Sequence, residues 1–374
     1  MRVENEGEGL VRHPAMSLIW CSISGHGYGH AAQVVPVLNT LARRAPHLKA
    51  LLRTSLPSTF FEPRLKLTWE LSPAQQDIGC VQNGPLTIDV PGTWEAHRAL
   101  HTEWDQKIET EAALIREAHP AVVLSDISHL GIAAGAAAGI PTIGLSSLSW
   151  DLVLEPFVDP AIPEHAVILR QIRDAYGKAD RFLRVTPGLA MTAFRAMDDI
   201  GPIAEPSTPE RMTLRRSLGA DDADRIILVG FGGIPLDTLP FERMARMPAS
   251  RFIFDGPVPK GSSRVVPLSA LGLPFKQVLA SADLILTKPG YGTIVESVAL
   301  GIPVVYVRRY NFADEQSLVD YLHHYGRGAE LSRDDFYRGA WEPAVHLALA
   351  QQPAAPPPPL SGPQDAAQFL ARYV

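Results

Sequence analysis

Two histidines lie in one short glycine-rich segment near the start of the chain. Residues 24–30 read SGHGYGH, and they follow a strand-like run and precede a helical pattern. Glycines let the backbone turn sharply there, and a helix N-terminus offers unpaired N–H groups to an anion. A neutral imidazole, either His26 or His30, could take a proton from a hydroxyl group near pH 7. The segment therefore predicts general-base chemistry beside a ligand site.

A carboxylate that could orient such a histidine comes after a later buried run. Asp126 directly follows the apolar residues 121–124 and Ser125. A carboxylate that accepts a hydrogen bond from one ring nitrogen improves the other nitrogen as a base. Alternatively, Asp126 or Ser128 caps the helix that we expect to begin near His129. The sequence leaves both interpretations open.

A second glycine-bearing turn lies in the other half of the chain. Residues 286–303 read LTKPGYGTIVESVALGIP, which predicts a strand, a turn, a helix and a further turn. Backbone N–H groups in the turn 289–293 could hold phosphate oxygens at the start of the helix. Glu296, one helical turn further, could accept hydrogen bonds from both hydroxyls of a ribose. Alternatively, Thr293 and Glu296 form a T-x-x-E capping box, which would explain both residues.

Acidic and amide side chains follow the next predicted strand. Asp314, Glu315 and Gln316 begin a helical pattern and could hydrogen-bond several hydroxyls of a sugar. Acidic residues in a first helical turn also suit the helix dipole, which is the structural alternative. A third glycine turn contains Gly232 and Gly233 and follows the first strand of the second half. It could close on the same phosphates.

The elements that would position these groups alternate through the chain. We expect strands near 17–23, 48–53, 67–71, 121–124, 141–145 and 181–185, then near 225–229, 251–254, 265–267, 284–287, 303–307 and Glu330. Helical patterns cover 31–44, 94–118, 275–281, 293–300 and 315–324. Such alternation predicts an α/β protein with parallel sheets covered by helices on both faces.

Length and proline content predict the domain organisation. A chain of 374 residues suggests two or three domains. The proline-rich, aperiodic segment 201–209 is typical of a boundary. We therefore expect a loose extension at 1–16, a first domain at 17–200, a linker at 201–224, a second domain at 225–350, and a proline-rich strap with a returning helix at 351–374. A disordered tail is the alternative for the last segment.

Composition narrows the classes of partner and location. The net charge is -6, without long runs of one sign, so nucleic acid and anionic membranes gain no electrostatic support. Two cysteines, Cys21 and Cys80, lie outside any Cys/His cluster, which favours a reducing compartment and argues against a structural metal. Residues 1–15 lack the apolar core of a secretory signal, and no apolar run is long enough to span a membrane. We expect a cytoplasmic protein with a small-molecule partner and leave its oligomeric state open.

With these motifs in place, the chain resembles the GT-B glycosyltransferases over about residues 17–332, in particular the plant, macrolide and peptidoglycan N-acetylglucosaminyltransferase types. The segment KPGYGTIVES followed by DEQ is similar to their donor signature. The resemblance implies two Rossmann-like domains facing across a cleft, with a C-terminal helix crossing back to the first. It also implies a donor site, with pyrophosphate at the glycine turn, ribose at the glutamate and the transferred sugar at the acidic-Gln pair, formed by Lys288, Gly290, Tyr291, Gly292, Thr293, Glu296, Glu315 and Gln316.

In the first half, the G-H pair before the first helix resembles the catalytic base of that family. The register of the helix favours His30 over His26, and Asp126 matches the partner carboxylate. The segment GHGYGHA is also similar to the transferase-like N-terminal half of plant arabinokinases. Gln33 stands where many relatives have proline, and Val319 with Asp320 replaces a usual Asn-Ala pair, so acceptor class and donor sugar stay open.

The resemblance implies a metal-independent, inverting transfer of sugar from a nucleotide-diphosphate sugar, UDP by default, to a hydroxyl acceptor, without a cofactor. Two alternatives are a catalytically silent nucleotide-sugar binding protein and a non-hydrolysing sugar-nucleotide epimerase. A nicotinamide dinucleotide is disfavoured, because the glycine spacing is GxGxG and no acidic residue follows the second strand.

Overall fold

The computed structural model describes residues 17–232 and 239–374. The extension expected at 1–16 and the site glycine Gly233 lie outside the described residues. Within the described ranges the chain forms two parallel β-sheets with helices on their faces. The first sheet ends at Ile200 and the second begins at Arg225, while the exact domain limits stay a prediction.

The first sheet has seven strands among the described residues. Their order is β3-β2-β1-β4-β5-β6-β7, and every pair is parallel. The strands are β1 Ser17–Ile23, β2 Leu48–Thr54, β3 Thr68–Pro73, β4 Val122–Asp126, β5 Thr142–Ser146, β6 Arg181–Val185 and β7 Met197–Ile200.

The second sheet repeats this plan with six described strands in the order β10-β9-β8-β11-β12-β13. In each sheet the chain starts at an inner strand, β1 or β8, and adds the next two strands towards one edge. It then returns to the other side of that first strand and adds the remaining strands towards the opposite edge. Ligands bind at such switch points in open α/β sheets, outside the carboxyl ends of the strands. The strands are β8 Arg225–Val229, β9 Ser250–Phe254, β10 Val265–Pro267, β11 Leu284–Thr287, β12 Val304–Tyr306 and β13 Gly328–Glu330.

The described helices connect the strands and cover both sheets. The first half contains α1 Tyr28–Arg44, α2 Ser58–Phe61, α3 Val90–His101, α4 Trp104–Ala118, α5 His129–Ala138, α6 Trp150–Leu154 and α7 Pro163–Tyr176. The second contains α8 Arg211–Ser217, α9 Phe241–Arg246, α10 Phe275–Ser281, α11 Tyr291–Leu300, α12 Glu315–Tyr325, α13 Arg333–Arg338, α14 Glu342–Ala350 and α15 Gly362–Leu370. In the described parts of the chain, no helix is both long and apolar enough to cross a membrane.

The central strands β4, β5, β8 and β11 are buried on both faces, which explains their continuous apolar runs. In β8, Ile227 and Val229 pack into one core, whereas Ile226 and Leu228 pack into another on the opposite face. Strands that are covered on both sides by helices lose the polar alternation of half-exposed strands. The strand positions predicted from the sequence therefore agree closely with those of the structure.

The chain returns to the first half at its C-terminus, as the resemblance implied. Helix α15 buries Ala366, Ala367 and Leu370 in the core that surrounds α1 and the first sheet. The Gly201 N–H donates to Asp365 Oδ2 at 3.0 Å, which fixes the start of this helix to the segment between the sheets. The predicted α/β fold with a returning C-terminal helix is confirmed.

Two local predictions need correction, and some elements are missing from the sequence prediction. The helix expected at 94–118 is two helices, α3 and α4, because Glu103 adopts a left-handed φ of 53° between them. Helix α8 lies within the segment predicted as a linker. Strand β7 and helix α7 were not predicted. Strand β7 gave little signal because it lies at the sheet edge, where its two aspartates pair with arginines of β6, as Arg181–Asp198 and Arg184–Asp199.

Candidate active site

The first sheet brings His30 and Asp126 together at its carboxyl edge. Strand β1 ends at Ile23, which lies opposite Asp126 in the register of β4. Helix α1 begins at Tyr28, so His30 lies in its first turn. Both carboxylate oxygens of Asp126 lie 3.2 Å from His30 Nδ1, and both residues are buried. The sequence therefore placed this pair correctly, while its catalytic role stays a prediction.

Ser128, rather than Asp126, caps helix α5. The Ser128 hydroxyl accepts a hydrogen bond from Gly131 N at 3.0 Å. This leaves the Asp126 carboxylate to the imidazole of His30. Between them, Ile127 is buried and has a left-handed φ of 58°. Such a conformation is strained for a β-branched residue, and strain of this kind concentrates at functional sites.

The pair makes His30 a suitable base. Burial opposes protonation of the ring, but the attraction of Asp126, with smaller contributions from Asp77 and Asp314, outweighs it and raises the pKa of His30 above its ordinary value. Since an ionised carboxylate only accepts hydrogen bonds, Nδ1 must donate to Asp126. Nε2 is then the ring nitrogen that can take a proton from a substrate.

His26 lies beside the pair in a different environment. Its ring packs edge-on against Trp150, with centroids 5.1 Å apart, and lies 6.2 Å from the ring of His30. Its Nε2 is 3.2 Å from Gln82 Nε2, and a Cβ added to Gly79 would lie 2.5 Å from its Nδ1. Burial, reinforced by nearby cationic groups, lowers the pKa of His26 to about 3. His26 is therefore a neutral, tightly packed imidazole, and no carboxylate among residues 17–232 and 239–374 pairs with it.

Asp77 is a site residue that the sequence reasoning missed. It lies in the irregular segment after β3 and accepts hydrogen bonds from Ser24 Oγ at 2.9 Å and from Trp150 Nε1 at 2.7 Å. Burial raises its pKa to about 6. Asp77 thus joins the glycine loop to the tryptophan that packs against both histidines. The available signal was an acidic residue shortly after a strand end.

The second half places an ammonium group between two glycine turns. A Cβ added to Gly290 would lie 3.6 Å from Lys288 Nζ, and one added to Gly232 would lie 4.0 Å from it. Helix α11 begins directly after Gly290, without a side-chain cap, while Gly292 is exposed and Thr293 half-buried. Burial, then the charge of Arg309, lowers the pKa of Lys288 to about 8. A cation and a helix N-terminus converge here, which is suitable for phosphate.

Tyr291 joins the two halves of the molecule. Its hydroxyl donates to the Thr186 carbonyl oxygen at 2.8 Å and accepts from Ile203 N at 2.9 Å. Its ring also packs against the cores of both halves. The structure therefore places the side chain of this predicted donor-binding residue in a contact between the halves.

Glu296 is held by a lysine rather than by a capping box. Because α11 begins at Tyr291, Thr293 lies inside the helix, and the capping-box alternative is wrong. The buried Glu296 carboxylate lies 2.5 Å from Lys276 Nζ of α10. Burial raises the pKa of Glu296, and Lys276 opposes that effect. A ribose would have to compete with this lysine.

Glu315 is sealed inside the loop that follows β12. One oxygen lies 2.5 Å from Arg309 Nε, and the other accepts from the backbone N–H groups of Arg309 at 2.9 Å and Tyr310 at 3.2 Å. The Arg309 side chain is 3% exposed and that of Glu315 is 0% exposed. The carboxylate that was predicted to bind sugar therefore holds the loop in place. Tyr310 has a left-handed φ of 63°, a second strained position beside the site.

Asp314 and Gln316, the neighbours of Glu315, differ in the hydrogen-bonding groups that they leave available to a ligand. Asp314 is buried, and its Oδ1 has no hydrogen-bond partner among residues 17–232 and 239–374. Burial raises the pKa of Asp314 to about 6. Gln316 accepts from Arg308 at 3.1 Å and donates to Asp320 at 2.7 Å. Within this predicted cluster, Asp314 is the residue with an unused buried acceptor.

The two halves meet at these groups. Phe312, from the loop that contains Arg309 and Asp314, is buried in the same apolar cluster as Ile127 and Trp150. Arg333 donates to the carbonyl oxygen of Leu86, a further contact between the halves. The charge of Asp314 also contributes to the raised pKa of His30. The predicted base therefore lies near Asp314 of the second half, while a shared site for the base and the donor residues stays a prediction. In the described ranges, no cluster of His, Cys, Asp and Glu side chains is suited to a metal ion.

Comparison with known proteins supports this architecture. No family model matches the chain. The chain is 27% identical over 365 residues to L-arabinokinase of Arabidopsis thaliana; the match covers 94% of this chain but spans only about a third (34%) of that protein's length. Among solved structures, the glycotransferase of kitacinnamycin is 18% identical with a TM-score of 0.62, and the alignment covers 96% of both chains.

Two further solved structures have the same similarity score. The calicheamicin glycosyltransferase is 17% identical, with a TM-score of 0.62 over 96% of this chain and 94% of that one. A Medicago truncatula protein, UGT71G1 complexed with UDP-glucose, is 13% identical, with a TM-score of 0.62 over 95% and 94%. These similarities establish the fold. The chain has the GT-B architecture of two Rossmann-like domains, as the resemblance implied.

Proposed function

We propose that the protein transfers a sugar from a nucleotide-diphosphate sugar to a hydroxyl group of a small acceptor. The observation that carries the proposal is the buried His30–Asp126 pair. It is supported by two effects across the halves: the charge of Asp314 acts on His30, and that of Lys288 acts on the neighbouring His26. A base at one side and a cationic phosphate site at the other are the two components that such a transfer requires.

In the proposed reaction Asp126 fixes the imidazole through Nδ1, and Nε2 of His30 removes the proton of the acceptor hydroxyl. The resulting oxygen forms a bond to the anomeric carbon of the donor. The bond from that carbon to the diphosphate oxygen breaks, and its electron pair leaves with the diphosphate. Attack from the face opposite the leaving group inverts the anomeric centre.

The charge that develops on the diphosphate is stabilised by the second half. Lys288 Nζ and the N-terminus of α11 provide positive charge, and the turns at Gly232 and Gly290 let the backbone approach closely. In this proposal the lysine and the helix take the part that a metal ion has in other enzymes. A bound phosphate would raise the pKa of Lys288 from about 8 and keep it protonated.

In this proposal two carboxylates recognise the donor, one with an unpaired oxygen and one that must first release a lysine. Asp314 Oδ1, which has no partner in the described part of the chain, can accept from a hydroxyl of the sugar. Glu296 can accept from the ribose after Lys276, whose side chain is 41% exposed, moves towards solvent. The Medicago truncatula protein is complexed with UDP-glucose, which supports a UDP-sugar as the first donor to test. We place the protein in the cytoplasm, since Cys21 and Cys80 are free, buried thiols.

The test is to replace His30 by alanine and measure both sugar transfer and donor hydrolysis across a panel of nucleotide sugars and acceptors. We expect a loss of about 10²- to 10⁴-fold in rate, with donor affinity retained, because a general base contributes that much. The control is His47→Ala, which removes an exposed histidine outside the site.

Wild-type turnover in His30→Ala would contradict the base assignment. If the wild-type protein binds nucleotide sugars tightly but neither transfers nor hydrolyses them, it is a binding protein. Release of free, epimerised donor sugar would instead indicate the epimerase.

A further inference from the structure

Asp77 is a buried carboxylate of the first half that the proposed reaction leaves without a role. It is 2% exposed, and both of its oxygens accept hydrogen bonds, Oδ1 from Ser24 Oγ at 2.9 Å and Oδ2 from Trp150 Nε1 at 2.7 Å. An indole N–H can only donate, and the Ser24 hydroxyl oxygen already accepts from His26 N at 3.2 Å. Donors at both oxygens suit the ionised carboxylate, since a protonated carboxyl group would bring its own hydrogen towards one of them.

The hydrogen bonds of this carboxylate do not neutralise its charge. Both donors are neutral groups, a hydroxyl and an indole. Burial raises the pKa of Asp77 to about 6, and the attraction of protonated His30, together with the two hydrogen bonds, opposes that rise. The group is therefore ionised at neutral pH. A buried anion destabilises the folded protein unless a cation compensates it, and the cation that acts on Asp77 is His30.

Two contacts connect Asp77 to the surroundings of the His30 ring. Trp150, whose N–H is held by Asp77, packs against His30 with ring centroids 5.6 Å apart and against His26 with centroids 5.1 Å apart. Ser24, whose hydroxyl is held by Asp77, is buried at the start of the glycine loop that leads to His30. Asp77 therefore fixes two elements that lie next to the imidazole.

Other titratable groups also lie near this ring. Asp126 of β4 is 3.2 Å from Nδ1, the neutral ring of His26 is 6.2 Å away, and Asp314 acts from the loop before α12. Burial lowers the pKa of His30, and the attraction of Asp126 is the largest effect that raises it, followed by that of Asp77 and then of Asp314. Asp77 is thus the second carboxylate in its effect on the base.

We propose that Asp77 is a second positioning carboxylate of the base, which holds the glycine loop and Trp150 beside His30 and stabilises the imidazolium with its charge. When the acceptor hydroxyl gives its proton to Nε2, the ring of His30 becomes a cation and the buried anion of Asp77 gains a counter-ion. Asp126 orients the ring by direct contact, whereas Asp77 acts through Ser24, Trp150 and its charge. The inference rests on the proposed function, because it concerns how the proposed base is prepared.

The experiment measures the pKa of His30 directly, by NMR titration of the histidine ring nitrogens in the purified protein. The His30 signal is assigned from its loss in His30→Ala. Asp77→Asn keeps the size of the side chain and removes its charge, whereas Ser24→Ala removes one contact of Asp77 and keeps the charge. Asp174→Asn, at an exposed aspartate of α7, is the control.

We expect the pKa of His30 to fall in Asp77→Asn, to change much less in Ser24→Ala and to stay unchanged in Asp174→Asn, because an anion near the ring favours its charged form. A purely structural role of Asp77 would leave this pKa unaltered in a variant that folds. An unchanged pKa of His30 in Asp77→Asn, or an equal fall in Ser24→Ala, would overturn the proposal.

A measurement on the wild type tests the same point if Asp77→Asn does not fold. The carboxyl carbon of Asp77, followed by NMR in the same titration, should report the ionised form at neutral pH, and its signal should respond as His30 gains a proton. A protonated Asp77 at neutral pH, or a signal that does not respond to His30, would overturn the proposal.

Transfer assays separate this inference from the proposed function. If the wild type transfers sugar, Asp77→Asn should lower kcat by about tenfold, leave the KM for the donor unchanged and move the acid limb of the kcat/KM profile to lower pH. An unmoved acid limb in Asp77→Asn would contradict the role of Asp77 alone. A wild type without transfer would contradict the proposed function, and the NMR titration would still decide whether Asp77 charges His30.

Discussion

The two halves of the molecule share one plan but hold their candidate functional groups differently. Each has a parallel sheet, a first strand at the switch point and a glycine turn before a helix. In the first half, His30 and Asp126 already form a buried pair. In the second half, two predicted ligand carboxylates are neutralised by the protein itself, Glu296 by Lys276 and Glu315 by Arg309.

This difference between the halves is the one expected between a catalytic group and a ligand-binding site. A general base must be oriented before the substrate arrives, whereas a binding site can exchange internal partners for ligand groups. The solvent exposure of the two ion pairs then shows which of the two carboxylates can exchange its partner for a ligand. The Lys276 side chain is 41% exposed and can yield, but Arg309 and Glu315 are sealed. Glu315 therefore stabilises the loop, and we propose that Asp314 and Lys288 bind the ligand.

The largest expected effect comes from breaking the sealed pair. Glu315→Gln removes the carboxylate that contacts the buried Arg309 guanidinium, and breaking such a buried pair costs about 3 to 5 kcal/mol of folding free energy. Chemical denaturation, with the midpoint and slope fitted together, measures this loss. The control is Glu342→Gln, at an exposed glutamate that begins α14.

Equal stability of Glu315→Gln and its control would show that the pair is dispensable. Glu315 would then return to the list of possible sugar ligands, and the contrast between the halves would weaken.

The next effect is on the rate. Asp126→Asn keeps the shape of the side chain but removes the charge that orients and attracts the imidazole. We expect the rate of transfer to fall about a hundredfold, equivalent to about 2.7 kcal/mol. Because Asp126 raises the pKa of His30, its loss should lower that pKa and move the acid limb of the kcat/KM profile to lower pH.

The pH profile distinguishes this role from simple destabilisation, which would lower activity without moving the limb. Asp222→Asn, at an exposed aspartate of the other half, is the control. A hundredfold loss with an unmoved acid limb would contradict the proposed action of Asp126 on His30.

The third prediction concerns the pH dependence of folding stability, an effect that is small near neutral pH and grows in acid. Three histidines of the first half, His97, His101 and His129, are buried. Burial lowers the pKa of His97 and of His101 to about 4 and that of His129 well below its ordinary value. The unfolded chain binds their protons near pH 6.5, so stability is complete above pH 6.5 and falls as the pH drops towards 4.

Each such histidine contributes a slope of about 1.4 kcal/mol per pH unit in that window. The raised pKa values of Asp77 and Asp314, both about 6, act in the opposite sense, so a single curve does not isolate the histidines. His97→Gln should therefore flatten the dependence by that slope between about pH 6 and 4, whereas exposed His47→Gln should not. Identical slopes for the three proteins would contradict the buried, neutral state of His97.

Much of this arrangement could be predicted because it depends on local patterns. Strands covered on both faces give apolar runs, and glycine turns between strand and helix mark their carboxyl ends. His30 and Asp126 each follow such a strand, so the sheet alone brings them together although they lie 96 residues apart. Parallel pairing of β1 with β4 made that contact predictable.

Contacts made by irregular segments could not be predicted in this way. Asp77 lies in a stretch without periodicity and reaches Ser24 across 53 residues and Trp150 across 73. The spacing of residues likewise does not predict whether Glu315 binds a sugar or pairs with Arg309, because that depends on how deeply the loop is buried. Tyr291 was assigned to the donor by its motif, yet its hydroxyl joins the two halves.

The central claim is that the second half binds a nucleotide diphosphate through Lys288 independently of the base in the first half. Calorimetric titration of UDP and UDP-glucose into the wild type, Lys288→Ala, His30→Ala and the exposed control Lys260→Ala tests it most directly. We predict binding by the wild type, His30→Ala and Lys260→Ala with similar affinity, and an affinity at least about tenfold weaker in Lys288→Ala. Failure of the wild type to bind either compound, or unchanged binding by Lys288→Ala, would contradict the account.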